Sequence, residues 1–170
     1  SKDKNTSFSR LTPETINFFE KKPGYDTLRL LLCKKAILVE GDADELIVQK
    51  AYLNKNGILP IENDIDVISV GNTFLRFLEI STLLEKETIV VTDNDGDIEQ
   101  LKNKYENYLG KNEKNFIKIC YDDETHIEQG NLKSKNGGTF NYDTLEPCML
   151  RANNLDTLNE ILETNKSTDD

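Results

Sequence analysis

Short apolar runs alternate with helical segments along the chain, and this alternation restricts the fold more than any other feature. The runs have the length of buried strands and lie at AILVE (36–40), IDVISV (65–70), TIVVTD (88–93) and FIKICY (116–121). Strands that alternate with helices are joined by right-handed crossovers into a sheet of mostly parallel strands. The pattern therefore predicts an α/β fold, with a mostly parallel four-stranded sheet flanked by helices.

The segments between these runs predict the helices. Thr12 as N-cap and Pro13 at the first helical position predict a short helix, and Gly57 predicts the end of a longer one. The helical segments are 11–22, 25–34, 42–57, 72–86 and 97–110, and a last one at 142–163 is interrupted at Pro147 and 153–154.

Size and composition exclude several classes of protein. The chain has 170 residues, and its longest apolar runs are far too short to span a bilayer, so we predict no membrane segment. Cys33, Cys120 and Cys148 are an odd number of distant cysteines without CxxC spacing, which predicts reduced thiols in a cytoplasm. The chain starts at Ser1 and ends in NKSTDD, so we expect a fragment of a longer protein.

The net charge of −10 argues against this chain gripping a nucleic-acid backbone alone, because phosphate contacts need lysine or arginine. It does not argue against metal-dependent phosphate chemistry. A bound divalent cation is often the largest local charge in a site and turns a cluster of acids into an electrophilic surface.

Acidic residues follow two of the predicted strands. Glu40 ends the first strand in VEGDADE and is followed by Gly41 and Asp44, and Asp93 and Asp95 follow the third strand in VVTDNDGD. Ligands of parallel sheets bind beyond the carboxyl ends of the strands, so the two stretches face each other if these strands are neighbours. Carboxylates are the ligands that Mg²⁺ prefers, and two such ions suit phosphodiester hydrolysis.

A calcium loop of EF-hand type is the first alternative for VVTDNDGD, and its spacing fails. That loop needs glycine at its sixth position and glutamate at its twelfth. Counted from Asp93, the glycine falls at the fourth position and Lys104 occupies the twelfth.

The pair VEGxxD (39–44) and DxDG (93–96) resembles a Toprim domain, the fold shared by topoisomerases, primases and several nucleases. The flanks resemble the C-terminal region of OLD-family (overcoming lysogenization defect) nucleases, whose relatives include the Gabija anti-phage nuclease subunit. The stretches of this chain that carry the resemblance are LLCKKAILVEGDADELIVQKAYL, ISVGNTFLRFLEI, VVTDNDGD and TFNYDTLEPCMLRANN. The resemblance implies a Toprim-type Rossmann-like fold, with 1–34 as a linker with lead-in helices, 35–125 as the catalytic core and 126–170 as a C-terminal loop and helical extension.

The resemblance also implies a metal-dependent DNA endonuclease that uses Mg²⁺ or Mn²⁺. It assigns metal ligation to Glu40, Asp44, Asp93 and Asp95, with Glu40, Asp93 and Asp95 as the catalytic set. Asp97 corresponds to the third acid of a longer DxDxD form that such nucleases do not always keep, and Glu146 is a further candidate ligand. The implied partners are DNA, an ABC-type ATPase domain outside this chain, a second copy of the protein and a helicase-like protein.

The chain departs from the family in one position that matters for activity. Family nucleases use a lysine downstream of the TLEP segment, and after Glu146 only Lys166 occurs. Whether the chain cuts DNA alone is therefore open at this point. A degenerate Toprim module that only binds partners, and a primase- or topoisomerase-type Toprim, are the alternative functions.

Simpler roles compete with ligation for some of these acids. Asp42 follows a glycine at a helix start, which is typical of a capping residue. For Asp44, the simpler role is a favourable interaction of its negative charge with the helix dipole. Glu40, Asp93 and Asp95 occur at two strand ends of one sheet, and this pairing favours a site over a solvated edge. The helical spacing of Tyr105 and Tyr108 predicts packing rather than base stacking.

Overall fold

A computed structural model describes residues 8–21, 24–124, 144–145, 148–149 and 155–165. Its centre is a four-stranded parallel sheet with the order β2-β1-β3-β4. The strands are β1 (Lys35–Val39), β2 (Ile65–Ser69), β3 (Glu87–Val91) and β4 (Ile117–Cys120). The predicted α/β fold with a four-stranded sheet is confirmed, and all four strands are parallel.

β1 occupies an inner position because its apolar run is buried on both faces. The register places Leu38 of β1 beside Ile68 of β2 and Val90 of β3, and all three side chains are fully buried. On the other face, Ile37 and Val39 form a buried cluster with a valine of β2. A continuous apolar run is what a strand with helices on both faces requires.

The described ranges contain α-helices both in the compact unit that holds the sheet and in a second unit. The bounds are α1 (Pro13–Lys21), α2 (Tyr25–Leu32), α3 (Asp42–Asn56), α4 (Phe74–Leu84), α5 (Ile98–Lys104) and α6 (Leu155–Leu162). Short 3₁₀ turns lie at Phe8–Arg10, Pro60–Asn63, Gly71–Thr73, Glu106–Tyr108 and Gly110–Asn112. Thr12 Oγ1 accepts from the backbone N–H of Thr15 at 3.3 Å, and Gly57 ends α3 at a φ of 76°, as the sequence predicted.

The helix predicted over 97–110 is wrong in its second half. α5 ends at Lys104, and Tyr105 leaves the helical region with a φ of −106°. The Tyr105 side chain is fully buried, and its ring makes an edge contact with Phe74 at 6.4 Å between centroids. Burial of this ring outweighs the helical spacing, and it confirms the predicted packing role of Tyr105.

The chain divides into two compact units. One contains the described residues up to Thr92 together with Tyr105–Cys120, and it holds the whole sheet. The other contains Asp93–Lys104 and the described residues from Tyr121 onward, including α5 and α6. None of the helices in the described ranges is long and apolar enough to cross a membrane.

Candidate functional site

The first acidic stretch lies directly after β1. Glu40 follows the last residue of the strand and is half-buried, and Gly41 is the N-cap of α3. The backbone N–H of Gly41 donates to Asp44 Oδ2 at 2.9 Å, so the Asp44 carboxylate caps the helix start. The sequence predicted this role for Asp42, and that prediction is wrong because Asp42 is the first helical residue and is exposed.

The backbone of Glu40 is held in place by hydrogen bonds from the end of β2 and from the turn that follows it. Its carbonyl accepts from the N–H of Gly71 at 2.9 Å and from the Ser69 hydroxyl at 3.2 Å. Gly71 has a φ of 58°, which L-residues rarely adopt, and this turn brings its N–H to Glu40. The conformation at the end of β1 is therefore fixed by the neighbouring strand.

The second acidic stretch follows β3. The chain continues from β3 through Thr92, whose N–H donates to the Cys120 carbonyl at 3.1 Å, and the next residue is Asp93. Asp93 is half-buried, whereas Asp95 is exposed and has a φ of 52°. Because β1 and β3 are paired neighbours, the two acidic stretches leave adjacent strands at their carboxyl ends.

Asn94, between these aspartates, organises the second stretch and was not singled out from the sequence. It is 2% exposed, and its Nδ2 donates to the carbonyls of Asp122 and Glu124, both at 2.8 Å. Its Oδ1 accepts from the N–H of Gly96 at 2.8 Å. A buried amide whose donors and acceptor are all used fixes the path of the loop that carries the aspartates.

Asp97 has a structural role. Its Oδ1 accepts from the N–H of Gln100 at 2.9 Å, and its carbonyl accepts from the N–H of Leu101 at 3.0 Å. This is the bonding pattern of a residue that caps α5. Glu146, the other additional candidate, lies outside the described residues.

The Tyr105 side chain is buried near Glu40 and Thr92, the residues that directly follow β1 and β3. Its pKa is raised above the ordinary tyrosine value, first by burial and further by the negative charge of Glu40, while a hydrogen bond with Thr92 acts in the opposite direction. Tyr105 therefore stays protonated, and its buried side chain lies near Glu40.

An ion-pair network was also missed from the sequence. Arg29 of α2 binds Glu45 of α3 and Asp66 of β2, at 3.0 and 2.8 Å from Nη2. The signal available was an arginine within a leucine-rich helix and an aspartate within an apolar strand, since charges in such positions are usually paired.

The donor set fits a hard divalent cation. The candidate ligands Glu40, Asp44, Asp93 and Asp95 offer only carboxylate oxygens, which Mg²⁺ prefers. Within the described ranges, no group of three or more His, Cys, Asp or Glu side chains is arranged to hold a metal ion. Mg²⁺ does not require such a group, because it is usually held by one or two carboxylates together with waters and substrate phosphates.

Comparison with protein families adds an independent finding. Residues 31–95 match the model of the family described as overcoming lysogenization defect protein-like, TOPRIM domain. This segment is similar to OLD-like Toprim domains. It runs from the end of α2 to Asp95, so it contains the first acidic stretch and the first two aspartates of the second. No curated protein and no solved structure gave a significant match to the chain.

The Toprim match bears out the resemblance seen in the sequence and gives a coarse function. The segment is similar to Toprim domains of nuclease and primase type, a class that acts on nucleic acids and generally binds Mg²⁺. Glu40, Gly41 and Asp44 belong to the matched residues, and so do Asp93 and Asp95.

Proposed function

We propose that this Toprim segment is the catalytic part of an OLD-type DNA endonuclease that hydrolyses phosphodiesters with two divalent metal ions. The observation that carries the proposal is the pairing of β1 with β3, which are the strands that Glu40 and Asp93 follow in the chain. Ligands of open parallel sheets bind beyond such strand ends. The family match supports the same chemical class.

The proposed ligands are Glu40, Asp44, Asp93 and Asp95, with Mg²⁺ or Mn²⁺ as the metal. These residues would hold the metal, which would supply polarisation of the phosphodiester, a lowered pKa of the attacking water and stabilisation of the leaving oxygen. We assign Glu40 a second role as general acid or base. Capping of α3 occupies only Oδ2 of Asp44, and a carboxylate has a second oxygen for a ligand. We leave Asp97 out of the set because nucleases of this type do not always keep the third acid of the longer DxDxD form.

In this proposal, most of the affinity for DNA comes from neighbouring parts of the protein outside this chain. A net charge of −10 repels phosphates unless metal ions neutralise the acids. An ABC-type ATPase domain outside this chain would couple ATP to cleavage, and a second copy and a helicase-like protein complete the proposed partners. DNA repair or anti-phage defence is the process that such an activity serves.

Cleavage of supercoiled plasmid tests the proposal. The protein at its full natural length is incubated with Mg²⁺ or Mn²⁺, and wild type is compared with Glu40→Ala and Asp93→Ala. We expect nicked or linear plasmid from wild type and a loss of about 10²-fold or more in each variant, which is the scale of a lost catalytic group.

Glu87→Ala is the matched control, because Glu87 is an exposed acid at the opposite end of β3 and pairs with Lys35. This variant is expected to cut like wild type. The nuclease assignment would be contradicted if wild type left the plasmid intact, or if the Glu40 and Asp93 variants cut it as well as wild type does. The degenerate Toprim module or the primase- and topoisomerase-type readings would then take its place.

A further inference from the structure

A partly buried ion-pair network joins α2, α3 and β2 within the sheet unit. The guanidinium of Arg29 donates to both carboxylate oxygens of Asp66, from Nη2 at 2.8 Å and from Nε at 3.1 Å. Nη2 also donates to Glu45 Oε1 at 3.0 Å and to the Val67 carbonyl at 2.5 Å. A planar guanidinium suits such an arrangement because its donors are fixed relative to one another. One side chain thus fixes two helices to the edge strand.

Glu45 extends the network to the end of β1. Its Oε1 accepts from Arg29 and from Gln49 Nε2 at 3.2 Å, and its Oε2 accepts from the backbone N–H of Ser69 at 3.2 Å. The Ser69 hydroxyl donates in turn to the Glu40 carbonyl at 3.2 Å. A continuous path of hydrogen bonds therefore runs from Arg29 through Glu45 and Ser69 to the backbone of Glu40.

The network is only partly accessible to water. The side chains of Arg29, Glu45 and Asp66 are 21%, 19% and 17% exposed. The pKa of Arg29 is raised above its ordinary value, first by the hydrogen bond to Asp66 and also by Glu45, against the opposing effect of burial. Removal of one partner leaves a poorly solvated charge or a lost hydrogen bond, so the network restrains its members strongly.

Glu45 differs from its neighbour Asp44 in how its oxygens are used. Both oxygens of Glu45 accept hydrogen bonds from groups on α2, α3 and β2. Asp44 Oδ2 accepts one local bond from Gly41. The two adjacent acids of VEGDADE therefore have different roles. Asp44 keeps an oxygen for a metal ion, whereas Glu45 uses both of its oxygens in hydrogen bonds within the protein.

We propose that Arg29, Glu45 and Ser69 form a positioning network that sets Glu40 and Asp44 in place for metal binding. The proposal rests on the proposed function. Neighbouring carboxylates repel one another before a cation arrives, so their geometry has to be imposed by surrounding groups. The network does this from two sides: Glu45 fixes the first turn of α3, which carries Asp44, and Ser69 fixes the carbonyl of Glu40.

The test measures binding of Mn²⁺ alone by calorimetry, together with urea unfolding, in the full-length protein. The variants are Glu45→Gln, which keeps the shape but replaces an acceptor oxygen with a donor, and Ser69→Ala, which removes only the bond to the Glu40 carbonyl. We expect Mn²⁺ to bind about tenfold more weakly or worse in both, as is usual when groups that orient metal ligands are lost.

Thr88→Val is the matched control. Thr88 is buried at the amino end of β3, and its hydroxyl donates to Ser81 Oγ at 2.9 Å. The substitution lowers the free energy of unfolding without touching the Glu40 end of the sheet, so Mn²⁺ affinity should stay as in wild type. Glu40→Ala, which removes a proposed ligand, should abolish binding.

The outcomes separate the two proposals. Wild-type Mn²⁺ affinity in Glu45→Gln and Ser69→Ala, with binding lost in Glu40→Ala, would overturn the positioning role and leave the metal site intact. Absence of Mn²⁺ binding in wild type, or wild-type binding in Glu40→Ala, would overturn the proposed function and the positioning role together. If Glu45→Gln does not fold, the less disruptive Ser69→Ala decides.

Discussion

Asp44 Oδ2 accepts a 2.9 Å hydrogen bond from the backbone N–H of Gly41, three residues earlier in the chain. A proposed metal ligand is therefore also the group that caps α3. An ideal Cβ at Gly41 would lie 3.3 Å from the same oxygen, so the glycine leaves the space that the carboxylate occupies. The spacing of VEGxxD thus serves local structure as well as chemistry.

Two substitutions of Asp44 separate these roles. Asp44→Asn keeps an oxygen that can accept from Gly41 and loses the charge, whereas Asp44→Ala loses both. In urea unfolding we expect Asp44→Ala to cost about 1 kcal/mol, the usual value of a lost cap, and Asp44→Asn to cost less. Calorimetry should show weakened Mn²⁺ binding in both, and wild-type binding by Asp44→Asn would reduce Asp44 to a capping residue. Asp42→Asn, an exposed neighbour, is the control.

Asn94 provides a second prediction. Asn94→Ala leaves the carbonyls of Asp122 and Glu124 and the N–H of Gly96 without the bonds that they now make. Each hydrogen bond contributes about 1 kcal/mol net, and the Asn94 amide that makes these three bonds is buried, so urea unfolding should show a loss of about 1–3 kcal/mol. Asn112→Ala removes an exposed amide that donates to the Glu106 carbonyl at 3.0 Å, and its effect should be much smaller. Equal effects at the two positions would show that Asn94 does not hold the loop.

The strands could be predicted from the sequence because their apolar runs are sufficient evidence by themselves. Each observed strand begins and ends within a few residues of its prediction, and β1 and β3 are neighbours, which is the condition under which the two acidic stretches were expected to face each other. The helix over 97–110 failed because Tyr105 is drawn into the core against Phe74. Spacing records which residues are apolar, but it does not record which partner buries them.

The groups that support the acidic stretches could not be predicted in the same way. Asn94 bonds carbonyls 28 and 30 residues further on, and Arg29 reaches groups 37 and 38 residues away. No local pattern encodes these pairings, since they arise only when strands and helices pack. The candidate ligands could be identified from the sequence because they follow strands in a recurrent motif. The residues that hold the acidic stretches in place belong to no such motif.

Gly57 offers a test of a backbone effect with little interference from side chains. It ends α3 with a φ of 76°, and a Cβ there would meet nothing within 4 Å. Gly57→Ala should therefore cost about 1 kcal/mol in urea unfolding, entirely from the left-handed conformation. Gly57→Asn should cost less because asparagine tolerates this region better, and an equal loss in the two variants would point to another cause. Mn²⁺ binding should be unchanged in both.

Glu79 of α4 ties α1 to the rest of the sheet unit. Its carboxylate accepts from the Thr12 hydroxyl at 2.9 Å and also from the Thr12 N–H and the Thr15 hydroxyl. Burial alone would raise the pKa of Glu79, but these hydrogen bonds and the charge of Arg76 outweigh it and lower the pKa below the ordinary value. The charged form of Glu79 is therefore the one that stabilises the fold.

The sign of the pH dependence follows from this lowered pKa. A carboxyl whose pKa is lower in the folded state contributes stability above its unfolded pKa and loses that contribution as the pH falls through the folded value. Glu79→Gln should therefore be less stable than wild type near neutral pH, and the difference should shrink below the ordinary glutamate pKa of about 4.3. Urea unfolding across this range measures it, with the exposed Glu99→Gln as control. A gap between wild type and Glu79→Gln that stays constant with pH would show that the Glu79 contacts do not depend on its charge.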